Sequence, residues 1–259
     1  MTDQVKQQAS KRVNRLIQSW PRGSVFVATD LRKQGFNSNL LNWYKSSQWL
    51  DSVGRGAYKL HGDKVDWYGG LFALQKQLGL TVHAGGKTAR FLKGYAHFLN
   101  ERPEEVFLFG QRGEKLPGWF KQYPWGIKVE YQATNFLPDP KPESLSQYEH
   151  REFSILISAP ERAVFEMLYQ IPGRQTFNEA LLIMENLTTL RPELVQQLLQ
   201  QCGSIQVKRV FMYMAEMHAH AWAEELNLSA VNLGSGKRVV VKNGALDRKY
   251  QITVPRELA

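Results

Sequence analysis

Three observations predict an α+β fold for this chain of 259 residues. The first sixty residues alternate short helical runs with short strands and close on two strand-like pieces around Gly54-Arg55-Gly56. Three further strand-like runs follow, Val106–Phe109, Ile127–Ala133 and Phe153–Ile157, among shorter helical stretches. Residues 159–226 then carry helical periodicity almost without a break. The length suggests two domains or three, and 43% apolar residues are enough to build cores. The single cysteine, Cys202, excludes an internal disulfide and a cysteine-cluster metal site, and it fits a reducing compartment. The stretch TDQVKQQASKR after Met1 lacks the apolar centre of a secretory signal. No run approaches 18 apolar residues, so the expected location is the cytoplasm, with no membrane partner.

In the first segment, Val5, Ala9, Val13, Leu16 and Ile17 recur every three or four residues and predict a helix over 3–19, ended by Pro21-Arg22-Gly23. Val25–Val27 reads as a short extended piece. Ala28 or Thr29 opens a brief helix that Gly35 closes. Asn37 or Ser38 caps a third helix, with Leu40, Leu41 and Tyr44 facing inward and Asn39, Asn42, Lys45 and Ser46 facing out. The runs WLDSV and AYKL around the Gly-Arg-Gly turn predict a hairpin. Helix, strand, helix, turn, helix, hairpin is the order of a winged helix-turn-helix.

Charge agrees with that order. Residues 1–60 hold ten Lys or Arg against three acids, or +7 of the chain's net +9. A polyanion is the matching partner, and the expected one is duplex DNA. The third helix fits a major groove about 12 Å wide, where Ser38, Asn39, Asn42, Lys45 and Ser46 would face base edges. Arg55 on the wing tip suits a minor groove or a phosphate, and Arg22, Arg32, Lys33 and Lys59 suit phosphates. The competing reading is a merely solvated face, since winged helices also bind proteins and basic surfaces also serve solubility.

Residues 66–78 read as a helix weakened by Gly69-Gly70. Gly86-Lys87-Thr88 resembles the end of a phosphate-binding loop, but Thr81 stands where that motif needs glycine, so the reading is a Gly-rich helix start. Glu104, Glu105, Lys128 and Glu130 raise a nuclease-like carboxylate cluster. The order Lys128-Val129-Glu130 is the reverse of a nuclease core and no partnered Asp follows, so neither catalytic residues nor a metal is expected. Pro138–Pro142 marks an exposed turn, and this middle portion should be a mixed α/β layer.

Four helices are expected beyond it: one begun by Pro160, one with Thr176 and Glu179 in capping-box spacing, one begun by Pro192, and a long one through 207–226. Together they predict a bundle. His218 and His220 are two apart and diverge on a helix, which is wrong for a zinc pair. Met212, Met214 and Met217 read as core. GKRVVVK and GALDRKYQITVP, joined at Asn243-Gly244, predict a terminal hairpin over the bundle. The expected division is 1–62 for the winged helix and 63–259 for the rest, the latter split into a mixed part, 63–157, and a mainly helical part, 158–259.

The stretches GRGAYKL, HAGGKTARFLKGYAHFL, SAPERAVFEML, SIQVKRVFMYMAE and GSGKRVVVKNG with YQITVP occur in this order over nearly the whole chain. Together they resemble the AbiEi family, antitoxins of abortive-infection type IV toxin–antitoxin systems. The resemblance implies a winged helix that binds inverted repeats in the system's own promoter and represses it. It also implies a C-terminal antitoxin domain that counteracts a nucleotidyltransferase-like toxin; whether the two proteins touch is left open, as is a monomer or a dimer on the DNA. No cofactor is implied. Arg162, Lys208, Arg209, Lys237 and Arg238 fall in the resembling stretches and form a candidate basic surface, unless they pair with Glu161, Glu166 and Glu216. Two other functions compete: a regulator whose C-terminal part senses a ligand or protein, and a nuclease targeted by its winged helix.

Overall fold

The computed structural model describes residue 14, residues 16–94 and residues 103–258, and it is α+β throughout. Of the expected first helix, residues 16–19 are helical, while Val5, Ala9 and Val13 lie outside the described residues. The winged helix then follows the expected order: β1 (Phe26–Val27), helices Ala28–Lys33 and Ser38–Ser46, β2 (Leu50–Gly54) and β3 (Ala57–Leu60). Its sheet is antiparallel in the order β1-β3-β2. Leu16, Trp20, Leu31, Leu40, Leu41, Tyr44, Leu50 and Leu60 form its core.

The middle portion is one five-stranded mixed sheet. Three of its strands match the expected runs: β5 (Glu105–Gln111), β6 (Lys128–Thr134) and β8 (Phe153–Ser158). Two were not foreseen, β4 (His83–Ala84) and β7 (Leu145–His150). The order is β6-β5-β4-β8-β7, with β5/β6 and β4/β8 parallel and the other two pairs antiparallel. β4 is too short to show alternation. β7 is an edge strand with no fully buried side chain, so its polar sequence LSQYEH gives no apolar signal.

Helix Trp67–Lys76 joins this sheet to the winged helix. Its two glycines, expected to weaken it, make that packing possible. A Cβ at Gly69 would lie 2.0 Å from the Gly23 carbonyl oxygen, and one at Gly70 would meet Phe120 and Trp125 at 2.7 Å. Gln77, just past the helix, completes the free edge of β1: its Oε1 accepts from Val27 N–H at 2.7 Å and its Nε2 donates to the Val25 carbonyl at 2.8 Å. Val25, Val27, Val53 and Ala57 share an apolar cluster with Leu71, Leu74, Leu108, Trp119 and Ile155, so packing crosses the expected boundary at residue 62.

The helical part holds Pro160–Tyr169, Phe177–Glu185, Pro192–Gln201 and Ile205–Met217 around a core that includes Phe165, Met184, Leu198 and Phe211. Thr176 caps the second, accepting from Glu179 N–H. The last expected helix is shorter than its apolar stripe. It stops at Met217, Ala219 takes φ +46°, and Ala221–Glu224 forms a separate turn. His218 and His220 sit at this break, each ring facing a carbonyl, of Leu181 and Met184 respectively. The tail differs too. The hairpin pairs β9 (Ala245–Asp247) with β10 (Ile252–Val254), and 237–242 is no hairpin arm: Arg238 makes one parallel bridge to Ile252. Asn243 has φ +60° and ends that segment rather than turning a hairpin.

Candidate nucleic-acid interface

The third helix is fixed at its N-terminal end. Gly35 adopts φ +89°, and Asn37 Oδ1 accepts from Leu40 N–H at 2.9 Å. With Leu40, Leu41 and Tyr44 buried, the helical period puts Ser38, Asn39, Asn42, Lys45 and Ser46 on the exposed face. Ser46 Oγ donates to the Trp43 carbonyl, which occupies its hydroxyl hydrogen. The wing tip is held from two sides. Ala28 N–H donates to the Gly56 carbonyl at 2.8 Å, and Gly54 lies so close to Trp119 that a Cβ there would stand 2.7 Å from the Trp119 Cβ. Arg55 projects from between these anchors and is exposed. Arg32 and Lys33 end the Ala28–Lys33 helix, also exposed. Among the described residues, Arg32, Lys33, Lys45 and Arg55 form no ion pair.

Two of the expected phosphate ligands are engaged within the protein instead. Arg22 pairs with Asp63 at 2.9 Å. Lys59 Nζ donates to Asp51 at 3.1 Å and to the Asp63 carbonyl at 2.6 Å, which turns it inward along the strand. Burial alone would raise the Asp51 carboxyl, but hydrogen bonds from His61 and Lys59 hold it below the usual range. Arg22 and Lys59 brace the loop after the wing.

The C-terminal basic cluster needs a larger correction. Arg162, Lys208 and Arg209 are 6%, 3% and 3% exposed, so they form no surface with the exposed Lys237 and half-exposed Arg238. Arg209 donates to the carbonyls of Leu233, Gly236 and Gln251, tying the tail to its helix. Arg162 Nε donates to Glu166 at 2.9 Å, the pairing that was the alternative reading, and its Nη1 donates to the Pro138 carbonyl.

Glu166 is the residue that inspection of the sequence missed as a centre. His83 Nε2 (2.9 Å), Ser158 Oγ (2.6 Å), Gly86 N–H (3.1 Å) and Arg162 converge on its carboxylate. Burial opposes its charge, yet His83, Arg162 and Ser158 hold its carboxyl below the ordinary range. The motif that resembles a phosphate-binding loop is explained here. Gly86 sits at φ +53°, and a Cβ on Gly85 would fall 2.0 Å from Glu166 Oε2, so the Gly-rich helix start cradles an internal carboxylate. The i, i+4 spacing of Arg162 and Glu166 was the available signal. Arg191 grips Glu161 with two side-chain bonds of 2.9 Å in the same way, without a local motif to announce it.

Two of the carboxylates considered for catalysis, Glu105 and Glu130, are paired with cations. Lys128 reaches Glu105 and Glu130, and Arg174 reaches Glu130 at 2.7 Å. Among the described residues no group of three His, Cys, Asp or Glu is arranged to hold a metal. Nor is any described helix long and apolar enough to cross a membrane.

Residues 103–255 match a family described as a transcriptional regulator, the AbiEi antitoxin of a type IV toxin–antitoxin system. Residues 9–101 match the N-terminal domain of AbiEi antitoxin regulators. No curated protein matches. The crystal structure of the RV2827C protein from Mycobacterium tuberculosis superposes with a TM-score of 0.62, covering 94% of this chain and 90% of that one. At 14% identity this is a likeness of fold.

Proposed function

The chain belongs to the AbiEi family, the antitoxins and transcriptional regulators of type IV toxin–antitoxin systems, and from that premise we propose that it represses its own operon by seating its winged helix on operator DNA. One observation carries the reading: the Ser38–Ser46 helix and the wing present Asn39, Asn42, Lys45 and Arg55 outward, and among the described residues neither Lys45 nor Arg55 forms an ion pair. Asn39 and Asn42 suit adenine edges and Lys45 suits guanine, while Arg32, Lys33 and Arg55 suit phosphates. The operator would carry inverted repeats, one chain on each. The larger half would counteract a nucleotidyltransferase-like toxin encoded beside this gene; family membership supports this part. Residues 1–62 and 63–259 would carry the two tasks.

The test is a binding titration of the full chain with duplex from upstream of its own gene and with scrambled duplex. Asn42→Ala should weaken operator binding by about 1–3 kcal/mol and leave scrambled binding nearly unchanged. Equal losses on both duplexes would reduce the helix to a phosphate contact, and no binding of either at low salt would remove the DNA reading. Co-expression with the adjacent gene tests the second half: growth arrest by that gene, relieved by this chain, is the expected result.

A further inference from the structure

A cleft of about 620 Å³ lies where the tail meets the start of the Phe177–Glu185 helix. Small-molecule sites span about 300–1,000 Å³. One wall comes from the bundle, with Gln175, Phe177 and Asn178, and the other from the tail, with Val241, Lys242 and Arg256.

Two features of the bundle wall lack partners. Gln175 is 1% exposed. Its Nε2 donates to the Thr176 carbonyl at 3.2 Å, but its Oε1 accepts from nothing among the described residues. A buried acceptor without a donor costs stability, and native structures hold few of them. The second feature is the helix end. The Thr176 hydroxyl takes the Glu179 N–H and the Thr176 carbonyl takes the Ala180 N–H, which leaves the Phe177 and Asn178 amides without an acceptor among the described residues. Free amides at the start of a nine-residue helix favour an anion.

The tail wall supplies mobile charge. Lys242 and Arg256 are exposed and form no ion pair among the described residues. Arg256 is anchored by its Nε, which donates to the Asn243 carbonyl at 3.1 Å, so its two terminal nitrogens remain for another acceptor. Glu257 lines the cleft as well and is exposed, so the lining holds two cations to one acid before the helix end adds its partial positive charge. Two amides, an ammonium and a guanidinium outnumber the two oxygens of a carboxylate. A phosphate monoester brings three terminal oxygens and a charge of about −2. Gln175 Oε1 asks in addition for a donor on the body of the ligand, and Pro172, Phe177 and Val241 offer that body apolar surface.

We infer that this cleft binds a small phosphomonoester that also carries an N–H or O–H donor. The phosphate takes the Phe177 and Asn178 amides together with Lys242 and Arg256, and the donor goes to Gln175 Oε1. The bound ligand ties the tail to the bundle. The cleft shares no residue with the winged helix, so the inference stands apart from the DNA reading.

The test is a calorimetric titration of the full chain, free of DNA, with inorganic phosphate, phosphoserine, phosphoethanolamine and β-glycerophosphate at one ionic strength. At least one ester should bind about tenfold more tightly than inorganic phosphate. Gln175→Leu should bring that ester down to the affinity of inorganic phosphate and leave inorganic phosphate unchanged. K242Q/R256Q should weaken every probe by about tenfold or more. The control K141Q/R248Q removes the same charge from exposed positions elsewhere and should bind as the parent does. Binding of inorganic phosphate only, or of no probe, would overturn the inference. Equal weakening in both double variants would trace the effect to net charge and overturn it, as would parent affinity in both Gln175→Leu and K242Q/R256Q. Amide proton–nitrogen spectra of the parent give a check independent of variant folding: the Phe177 and Asn178 signals should move on adding the ester and stay in place on adding sodium chloride. Signals that ignore the ester, or follow the salt equally, would overturn the inference. None of these outcomes bears on the operator titration.

Discussion

On the Ser38–Ser46 helix and the wing, Lys45 and Arg55 stand exposed with no ion pair among the described residues, whereas Arg162 and Arg209 in the helical half are covered and hydrogen-bonded. Both regions are rich in Lys and Arg in the sequence. What separates them is the supply of acceptors. The bundle delivers Glu166 and the carbonyls of Pro138, Leu233, Gly236 and Gln251 to its cations. The outward face of the third helix delivers none. A buried cation without acceptors is costly, so in the bundle the acceptors come with the burial; an exposed one has water and is left free for an external anion.

The sharpest way to test this contrast is to remove an acceptor. Glu166→Ala leaves Arg162 and His83 facing a buried gap and should cost about 3–5 kcal/mol of stability, read as a lower urea midpoint. A loss below about 1 kcal/mol, within the range of an exposed ion pair, would erase the distinction between the two regions.

A smaller effect is expected from acid. The Glu166 carboxyl is held below its unfolded value of 4.5, so its contribution is complete above that value and is lost as pH falls through and below it. Glu166→Gln should flatten this acid limb of the stability curve, measured by denaturant titration from pH 6 downward. An unchanged limb would assign the acid sensitivity to other carboxylates, such as Glu161 under Arg191. The smallest effect belongs to the exposed side: Lys45→Ala and Arg55→Ala should shift the midpoint by no more than about 0.5 kcal/mol. A larger shift would show that these cations hold the fold together.

The winged helix was legible almost residue by residue because its signals are local. Gly35, Asn37 and the pair Gly54 and Gly56 each mark a turn or cap, and Leu40, Leu41 and Tyr44 mark a face. The helices begun by Pro160 and Pro192 were legible for the same reason. Some misreadings involve near partners, as with Lys59, held by Asp63 and Asp51 four and eight residues away, but most involve partners distant in sequence. Burial of Arg209 depends on carbonyls 24 to 42 residues away. β4 exists because β5 and β8 flank it, and the segment 237–242 gave strand alternation but makes a single isolated bridge, to Ile252, with irregular hydrogen bonds to Gln251 and Thr253. Gly69 and Gly70 looked like helix weakness because the Gly23 carbonyl and Trp125 that need the space are invisible along the chain.

The Gln77 amide has a consequence for how this protein avoids sticking to itself. Phe26–Val27 lies at the margin of its sheet, and an uncovered margin of that kind invites strands from other molecules. Gln77 occupies the Val27 N–H and the Val25 carbonyl, and the Gly69 carbonyl takes the Val25 N–H, so the amide and a helix together act as a surrogate neighbouring strand. A chain cut after the wing would lose all three hydrogen bonds at once. Its characteristic failure would then be self-association through an open β margin, with the three-helix core of the fragment still able to form.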